Sequence, residues 1–551
     1  RGSFLPSPSP QGPPSAAGVA RSGAMAGRST AAVGLPGPYP IKGTLMGGRH
    51  VRYVLPPGAS VLDPLDLPFQ ADEKSCLRTT EISKMKGQGL VCSQNAKLIA
   101  VNLRYIAYAM KEGTVRIINQ NGKDLFKLHN STKAVIADMA INGTGAPTDQ
   151  GTTLLCVDEA ARVTIFILEA HSSGSSEERA KRIELVFPSH MDPPQRVLGH
   201  PTDSKLFVTV HANHLGVWSL QLLQQEDPQE SSSASGFFTH SVTDRLLAKC
   251  SMQYRLPHLP DLGCAPRVCD AAISLAAQCL VALAGGTLFV WRLEDPGSWQ
   301  EKPQLLQKFW LGATSDAVDG SEMRSLRILG PSASERQQQE GGEEEAEVLV
   351  VGSDTGCELF AHRLTPASSL PVGALLQSIS LVSSSGEKDL VACIDANHIE
   401  NDSLGIAFRY RTLVLVLPLA RGWADRAGSS PFPYAQRFIT EEPANQLSIM
   451  SGKSYQTAGH TLFMYRAHNF TREKDKLLGC NIAVSEVEDA SLVAREEVSA
   501  GDAAAGTVAD GVAAAEAAKV AEAAVAPEVL PGAEPKDAWP AEAPEGAPPG
   551  A

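Results

Sequence analysis

Short apolar runs separated by tight polar turns occur in pairs along most of this chain. The second run of each pair is rich in β-branched, leucine and aromatic residues, and seven such runs are present: GTVRII (113–118), ARVTIFIL (161–168), NHLGVWSL (213–220), GTLFVWRL (286–293), CELFAHRL (357–364), RTLVLVLPL (411–419) and HTLFMYRA (460–467). Another apolar run precedes each of them, usually across a turn such as KEG, DEA or DTG. Two β-forming runs joined by a short turn predict a β-hairpin, so the pattern predicts one hairpin that recurs seven times.

The spacing of these hairpins indicates the architecture. They begin 48, 52, 73, 71, 54 and 49 residues apart, and the shorter intervals approach the ~40–45 residues of a WD-type repeat. The longest intervals contain the polar segments 224–236 and 334–347, which we expect to form loops. Because radial stacking buries both faces of four-stranded sheets, we predict an all-β fold: a seven-bladed β-propeller over residues 95–470, with the seven runs near the outer side of each blade. Two β-sandwiches are the alternative, but they do not require a recurring hairpin.

Four residues fit the signature of a WD-type repeat. Trp218 and Trp291 stand where the repeat places its tryptophan, and Asp158 and Asp354 stand in the turn before a following strand. We expect both aspartates to cap tight turns by accepting hydrogen bonds from nearby backbone N–H groups. Residues other than aspartate follow the two tryptophans, so the repeats are degenerate.

The two ends of the chain differ in composition from its middle. Residues 1–40 are rich in Pro, Ser, Gly and Ala, and residues 499–551 carry nine acidic residues against two lysines. Neither end has the apolar content that offsets the entropy of ordering a chain. We therefore predict a mostly disordered lead-in at 1–94, the propeller at 95–470, a polar exit segment at 471–498 and a disordered acidic tail at 499–551. The acid-free first forty residues also match the composition of an organellar transit peptide.

Charge and motif content narrow the function classes. The net charge of −13 argues against a broad nucleic-acid-binding surface, which needs clustered Lys and Arg. No apolar run is long enough to predict a transmembrane helix. The chain has no phosphate-binding loop, no nucleophile elbow and no dinucleotide fingerprint. We therefore predict no catalytic, cofactor-binding or metal-ligating residues, and a protein that is not an enzyme.

Two segments imitate catalytic or metal-binding motifs. Asp354-Thr355-Gly356 resembles the aspartic-protease triplet, but that chemistry needs a second copy, which the chain lacks. His211 and His214, with His200 upstream, resemble metal ligands, but no Cys or acidic partner lies at a usual zinc spacing. We expect the first segment to be a structural turn and the histidines to be solvated imidazoles in a turn between strands.

The cysteines indicate a reducing compartment. Cys156, Cys279 and Cys393 lie inside apolar, strand-like runs, and the chain has no C-x-x-C pair. Free thiols buried in a core fit this distribution better than disulfides or a zinc site.

The segment LIAVNLRYIAYAMKEGTVRIINQNGKDLFKLHNSTKAVIADMA at 98–140 resembles the first blade of the enhancer of mRNA-decapping protein 4 family. The matching positions are Leu98–Val101, Ala107–Ala109, Val115–Ile118, Leu128 and Val135–Ala140. The next segment, LLCVDEAARVTIFIL at 154–168, is similar to the family's LACLDEAGNLFVWRL, and TLFVWRLED at 287–295 fits another blade end. The resemblance covers about residues 95–470 and is best at 98–168.

The resemblance implies a non-catalytic scaffold of cytoplasmic mRNA turnover. Members of the family bring the decapping enzyme and decapping activator proteins together in P-bodies, contacting mRNA indirectly or weakly, without a cofactor or a membrane. It implies oligomerisation only where the full-length protein has the family's C-terminal helical region.

Two other functions fit the same fold, because a fold does not fix a function. One is an unrelated WD-repeat adaptor of the trafficking or ubiquitin-ligase type. The other is a propeller enzyme, which would need convergent polar residues around the central channel, and the sequence singles out none.

Overall fold

The computed structural model describes most of the chain between residues 51 and 482. The described residues are 51–64, 76–77, 80–85, 97–120, 125–143, 151–168, 180–201, 203–228, 230–232, 237–258, 266–299, 302–311, 323–330, 346–353, 355–365, 370–382, 392–396, 402–409, 411–420, 423–425, 429–440, 444, 446–451, 460–466 and 475–482. Residues 1–50 of the predicted disordered lead-in and the predicted disordered tail at 499–551 lie outside these ranges.

The strands within these ranges form seven sheets, numbered here in chain order of their first strands. Sheet 1 contains Ile99–Val101, Tyr105–Met110, Thr114–Asn119 and Leu125–His129. Sheet 2 contains Ile136–Asn142, Thr152–Asp158, Arg162–Leu168 and Ala180–Val186. Sheet 3 contains Arg196–Gly199, Leu206–Val210, His214–Ser219 and Ser251–Arg255. Sheet 4 contains Val268–Ser274, Cys279–Ala284, Thr287–Arg292 and Leu305–Trp310.

The remaining three sheets complete the set. Sheet 5 contains Met323–Leu329, Glu347–Ser353, Glu358–Leu364 and Val372–Leu381. Sheet 6 contains Ala392–Ala396, Ser403–Phe408, Leu413–Pro418 and Tyr434–Thr440. Sheet 7 contains Gln446–Ser451, His460–Arg466, Asp475–Ile482 and Thr80–Met85.

The sheets are arranged in a ring. The first strand of each sheet contacts the sheet before it, and the first strand of sheet 1 contacts the first strand of sheet 7. Apolar side chains from neighbouring sheets form the buried clusters between them, as where Leu404 and Ile406 of sheet 6 pack with Val350 of sheet 5. The prediction of an all-β propeller is confirmed. The hydrophobic core of the propeller lies between the sheets, as radial stacking requires.

The predicted boundaries of 95–470 are corrected at both ends. Thr80–Met85 is the outermost strand of sheet 7 and pairs antiparallel with Asp475–Ile482, so both fall within the propeller. Val51–Val54 and Cys76–Leu77 extend sheet 6, and Gly58–Leu62 extends sheet 5. Composition could not reveal these strands, because each is short and its partner lies hundreds of residues away.

The strand order also refines the position of the recurring runs. They supply the third of four core strands in sheets 1 to 6, with one further core strand outside them. In sheet 7 the run is the second strand, because this sheet takes its outer strand from the N-terminal part of the chain. The expectation of a near-outer position was therefore wrong for sheet 7.

The polar insertion at 224–236 is not simply a loop. Leu220–Gln225 and Asp244–Cys250 are short helices, capped by the side chains of Ser219 and Thr243. Between them, Glu230–Ser232 and Phe237–Ser241 form a hairpin, and Phe237–Ser241 pairs parallel with the outer strand of sheet 2. The Arg182 guanidinium lies 3.9 Å from the centre of the Phe237 ring. The apolar residues that follow the polar segment thus anchor the insertion. Most of the second polar segment, 334–345, lies outside the described residues.

Candidate functional site

The two signature tryptophans are structural. Trp218 and Trp291 lie on the third strands of sheets 3 and 4 and are buried. The Trp218 Nε1–H donates a hydrogen bond of 2.9 Å to the Thr209 hydroxyl, and its ring stacks on Phe207 with centroids 6.2 Å apart. Trp291 stacks on Phe289 at 6.0 Å. Neither side chain is available to a ligand.

Asp158 caps the turn that follows the second strand of sheet 2. Its Oδ1 accepts a hydrogen bond from the Arg162 N–H at 3.0 Å, and its Oδ2 accepts bonds from Asn130 Nδ2 at 2.9 Å and the Thr132 hydroxyl at 2.7 Å. Asn130 and Thr132 belong to the connection between sheets 1 and 2. The Asp158 carboxylate therefore links its own turn in sheet 2 to that connection. Burial raises the pKa of Asp158, and these hydrogen bonds oppose the shift.

Replacing Asp158 with alanine should lower the free energy of unfolding by about 1–3 kcal/mol, because three donors lose their shared acceptor in a buried site. Chemical denaturation of the purified variant measures the loss. The adjacent exposed residue Glu159 supplies the matched control, and Glu159→Ala should leave the denaturation midpoint unchanged. An Asp158→Ala protein as stable as this control would contradict the capping role.

The second predicted turn aspartate, Asp354, lies outside the described residues. The neighbouring residues form a tight turn in which the Gly356 N–H donates to the Ser353 carbonyl at 2.9 Å. Gly356 has a φ of +69°, and a Cβ there would lie 2.7 Å from the Ala392 carbonyl oxygen. The glycine of the protease-like triplet therefore occupies a position where chain geometry requires a glycine.

His211 and His214 lie on the turn between the second and third strands of sheet 3. Their rings stack with centroids 4.1 Å apart and an angle of 10° between planes. The His211 ring nitrogens lie 2.7 Å from the Asp192 carbonyl oxygen and 2.9 Å from the Thr209 hydroxyl. The carbonyl can only accept, so His211 carries its proton on Nδ1. His200 lies apart, at another turn, where its Nδ1 accepts from the Asp203 N–H at 3.0 Å.

The prediction of solvated imidazoles was wrong for His211, which is 1% exposed. Burial lowers the pKa of His211 to about 4 and that of His214 to about 3, so both are neutral at pH 7. The sequence pattern missed this burial because a turn usually faces solvent, whereas here Phe187 covers the His211 ring with centroids 5.2 Å apart. The described residues contain no His, Cys, Asp and Glu cluster able to hold a metal ion.

A cavity of about 560 Å³ opens beside the histidine pair, within the size range of small-ligand and side-chain pockets. Its apolar lining comes from Phe187, Met191, Leu247, Leu256, Pro257 and Pro266. Its charged lining comes from Asp192, Asp244 and Arg255, and its other polar lining from His190, His211, Asn213, His214, Gln253 and His258. The connection from sheet 2, the histidine turn and the helix Asp244–Cys250 form its walls. We call it the sheet 3 cavity.

Charged side chains of the first strands meet around the centre of the ring. In sheet 2, Asp138 Oδ2 lies 3.7 Å from Arg196 Nε of sheet 3. Arg196 Nη1 also donates to Asp270 Oδ1 of sheet 4. Asp270 Oδ2 accepts from Arg327 Nη1 of sheet 5 at 3.0 Å. Burial opposes the Arg196 charge, but Asp270 and Asp138 outweigh it and raise the pKa of Arg196.

The same succession of contacts continues through the last sheets. Arg327 Nε lies 3.9 Å from Asp395 Oδ1 of sheet 6, and Lys97 Nζ, just before sheet 1, lies 2.6 Å from the same oxygen. The Lys97 backbone N–H returns to Asp138 with a 2.7 Å hydrogen bond. Sheet 7 contributes the neutral Gln446, whose Oε1 accepts from the Leu98 N–H at 2.5 Å.

These residues form what we call the inner charge ring: Lys97, Asp138, Arg196, Asp270, Arg327 and Asp395, with Gln446 as its neutral seventh position. Charges alternate in sign from sheet to sheet, and strict alternation around seven positions requires one neutral member. The three carboxylates are buried, and each pairs with at least one cation. A smaller cavity of about 130 Å³ lies against Lys97, Arg196, Arg327 and Asp395. The ring holds neighbouring sheets together.

The inner charge ring was not predicted from the sequence. Its signal is a single charged residue within an apolar first strand, as in IADMAI for Asp138, VCDAAIS for Asp270 and ACIDA for Asp395. Each such residue looks like an ordinary polar position of an alternating strand. Aligning the first strands of successive sheets would have shown the change of sign.

Comparisons with known proteins add little beyond the strand pairing. No family model matches this chain, and no curated protein does. The β-propeller domain of Cps50 (Swd1) from Myceliophteria thermophila is 12% identical, with 74% of this chain and 100% of that chain covered and a TM-score of 0.42. A chain of the Chaetomium thermophilum Nup82 NTD–Nup159 TAIL–Nup145N APD complex is 10% identical, with 72% and 96% covered and a TM-score of 0.43. Values this low carry no argument about function. Among the described helices, none has the length and apolar character of a membrane span.

Proposed function

We propose that this chain is a seven-bladed, non-catalytic WD-type scaffold that binds protein partners, with the sheet 3 cavity as one partner-binding site. The observation that carries the proposal is how this cavity is built. One wall, with Asp244 and Leu247, belongs to the insertion between the third and fourth strands of sheet 3. A four-stranded sheet needs no such insertion. An added helix that lines a cavity of this size is typical of a binding site on a rigid framework.

The inner charge ring supports a scaffold over an enzyme. Asp138, Asp270 and Asp395 are buried. Each accepts a hydrogen bond from a neighbouring sheet or forms an ion pair with one. Carboxylates engaged in this way hold the sheets together and offer no general base to a substrate.

The resemblance to the decapping scaffolds narrows the proposal. We infer that the partners are the decapping enzyme and decapping activator proteins, that the protein acts in the cytoplasm at P-bodies, and that it contacts mRNA only indirectly or weakly. The support for this narrower function is the match of residues 98–168 to the family's first two blades. An unrelated trafficking or ubiquitin-ligase adaptor is the competing outcome.

Affinity purification separates these functions. The tagged chain, expressed in cells of its own source, should recover the decapping enzyme and its activator above an untagged control. Recovery of coat or ligase components in their place would contradict the decapping role, while the proposal of a protein-binding scaffold would stand. The purified chain should also release no cap from capped RNA with Mg²⁺, and should stimulate release only when enzyme and activator are added. Cap release by the chain alone would contradict the scaffold itself.

A further inference from the structure

The sheet 3 cavity differs from the inner charge ring in its unpaired charges. Within the described ranges, none of the ion pairs involves Asp192, Asp244 or Arg255, although the buried carboxylates of the inner charge ring are all paired. Two carboxylates against one guanidinium give the cavity a negative balance. It therefore favours a cationic group and disfavours a phosphate.

The stacked pair His211 and His214 does not change this balance. His211 and His214 are neutral at pH 7, because burial lowers the pKa of both rings. His211 is covered by Phe187 on one side and by His214 on another, which fixes the orientation of the pair. His214 is the member of the pair that remains partly exposed. The cavity thus contains a flat, uncharged aromatic ring together with the carboxylates of Asp192 and Asp244.

We propose that the sheet 3 cavity binds an arginine side chain carried by a linear segment of a protein partner, with Asp192 and Asp244 pairing with the guanidinium and His214 stacking on it. This inference rests on the proposed function, since it names the partner chemistry of the same site. A guanidinium is planar and weakly hydrated, stacks on aromatic faces and matches carboxylates with paired N–H groups. A lysine ammonium is compact and strongly hydrated and lacks that plane.

Arg255 has a separate role in this arrangement. It is paired with His214 across two neighbouring strands of sheet 3, which places it at the His214 end of the cavity. Its charge lowers the pKa of that imidazole further. Its N–H groups are suited to the backbone carbonyls of a bound segment, since Arg donates several hydrogen bonds and accepts none. The apolar residues Phe187, Met191 and Leu256 surround the aliphatic part of the inserted side chain.

Peptide binding to the full chain tests the proposal. The probes are fluorescent nonapeptide pools with a fixed central arginine, and matched pools in which lysine or citrulline replaces it. By fluorescence anisotropy, the arginine pool should bind about tenfold more tightly than the citrulline pool, because citrulline keeps the shape and loses the charge. Asp192→Asn and Asp244→Asn should each weaken arginine binding about tenfold. Asp227→Asn, an exposed aspartate of the same insertion outside the cavity lining, should bind as the wild type does.

Three results would overturn the proposal: equal binding of the arginine and citrulline pools, unchanged binding by the Asp192→Asn/Asp244→Asn double variant, or preferential binding of an RNA oligonucleotide that Arg255→Gln abolishes. Thermal denaturation of each variant shows whether it is folded.

The affinity purification is repeated with the double variant. If the wild type recovers partners but shows no arginine preference, the inference fails and the proposed function stands. If the wild type recovers none, the proposed function fails whichever peptide binds.

Discussion

Replacing Asp270 with alanine should lower the free energy of unfolding by about 3–5 kcal/mol, because the buried Arg196 and the largely buried Arg327 lose their shared partner. Asp270 is 0% exposed. Its carboxylate accepts from Arg196 and Arg327 and from the backbone N–H groups of Ala271 at 2.8 Å and Leu326 at 3.0 Å. These donors belong to sheets 3, 4 and 5, so the substitution weakens two sheet boundaries together. Equilibrium denaturation in urea, followed by tryptophan fluorescence, measures the change.

The matched control is an ion pair at the surface. Glu226 Oε1 lies 2.8 Å from Lys249 Nζ within the insertion of sheet 3, and both side chains are partly exposed to water. Glu226→Ala should leave the urea midpoint nearly unchanged, since exposed pairs contribute little. If the Asp270→Ala protein has the same urea midpoint as the Glu226→Ala control, the inner charge ring does not stabilise the contacts between neighbouring sheets.

A chain that begins at residue 95 should be less stable than one that begins at residue 50, by on the order of 5 kcal/mol. The shorter chain lacks Thr80–Met85, whose five paired positions along Asp475–Ile482 complete sheet 7. It also lacks Val51–Val54 and Gly58–Leu62, which cover the outer edges of sheets 6 and 5. Uncovered edges offer unpaired N–H and C=O groups to other chains, so the shorter protein should also aggregate.

Scanning calorimetry and size-exclusion chromatography of the two chains test this expectation. The chain from residue 50 should melt within about 2 °C of the untruncated chain, and the chain from residue 95 about 10 °C lower. Equal melting temperatures for the two truncated chains would contradict closure of the ring by the N-terminal strand.

Local sequence determined the repeated hairpins of the fold. TTLLCVD is a strand over Thr152–Asp158, and the run GTLFVWRL at 286–293 forms the strand Thr287–Arg292, which differs from the run only at its ends. Apolar positions and turn residues act within a few positions of one another, so a local pattern suffices to predict them. The same locality revealed the tryptophan positions and the turn aspartate Asp158.

Local sequence patterns could not predict the candidate site. His211 becomes buried only because Phe187, from the connection out of sheet 2, covers it. Asp244 reaches the sheet 3 cavity only because the insertion of sheet 3 pairs with the outer strand of sheet 2 before it returns. Each contact joins two segments of the chain, and no local pattern in either segment predicts that it meets the other.

By itself, the sequence determined that this protein is built from a recurring β-hairpin and that its sheets must stack to bury their faces. Only the tertiary structure decided which strand closes the ring, which charges meet at its centre and where a cavity opens. Hairpins form from neighbouring residues, whereas the pairing of Thr80–Met85 with Asp475–Ile482 and of Lys97 with Asp395 depends on distant segments that radial packing brings together.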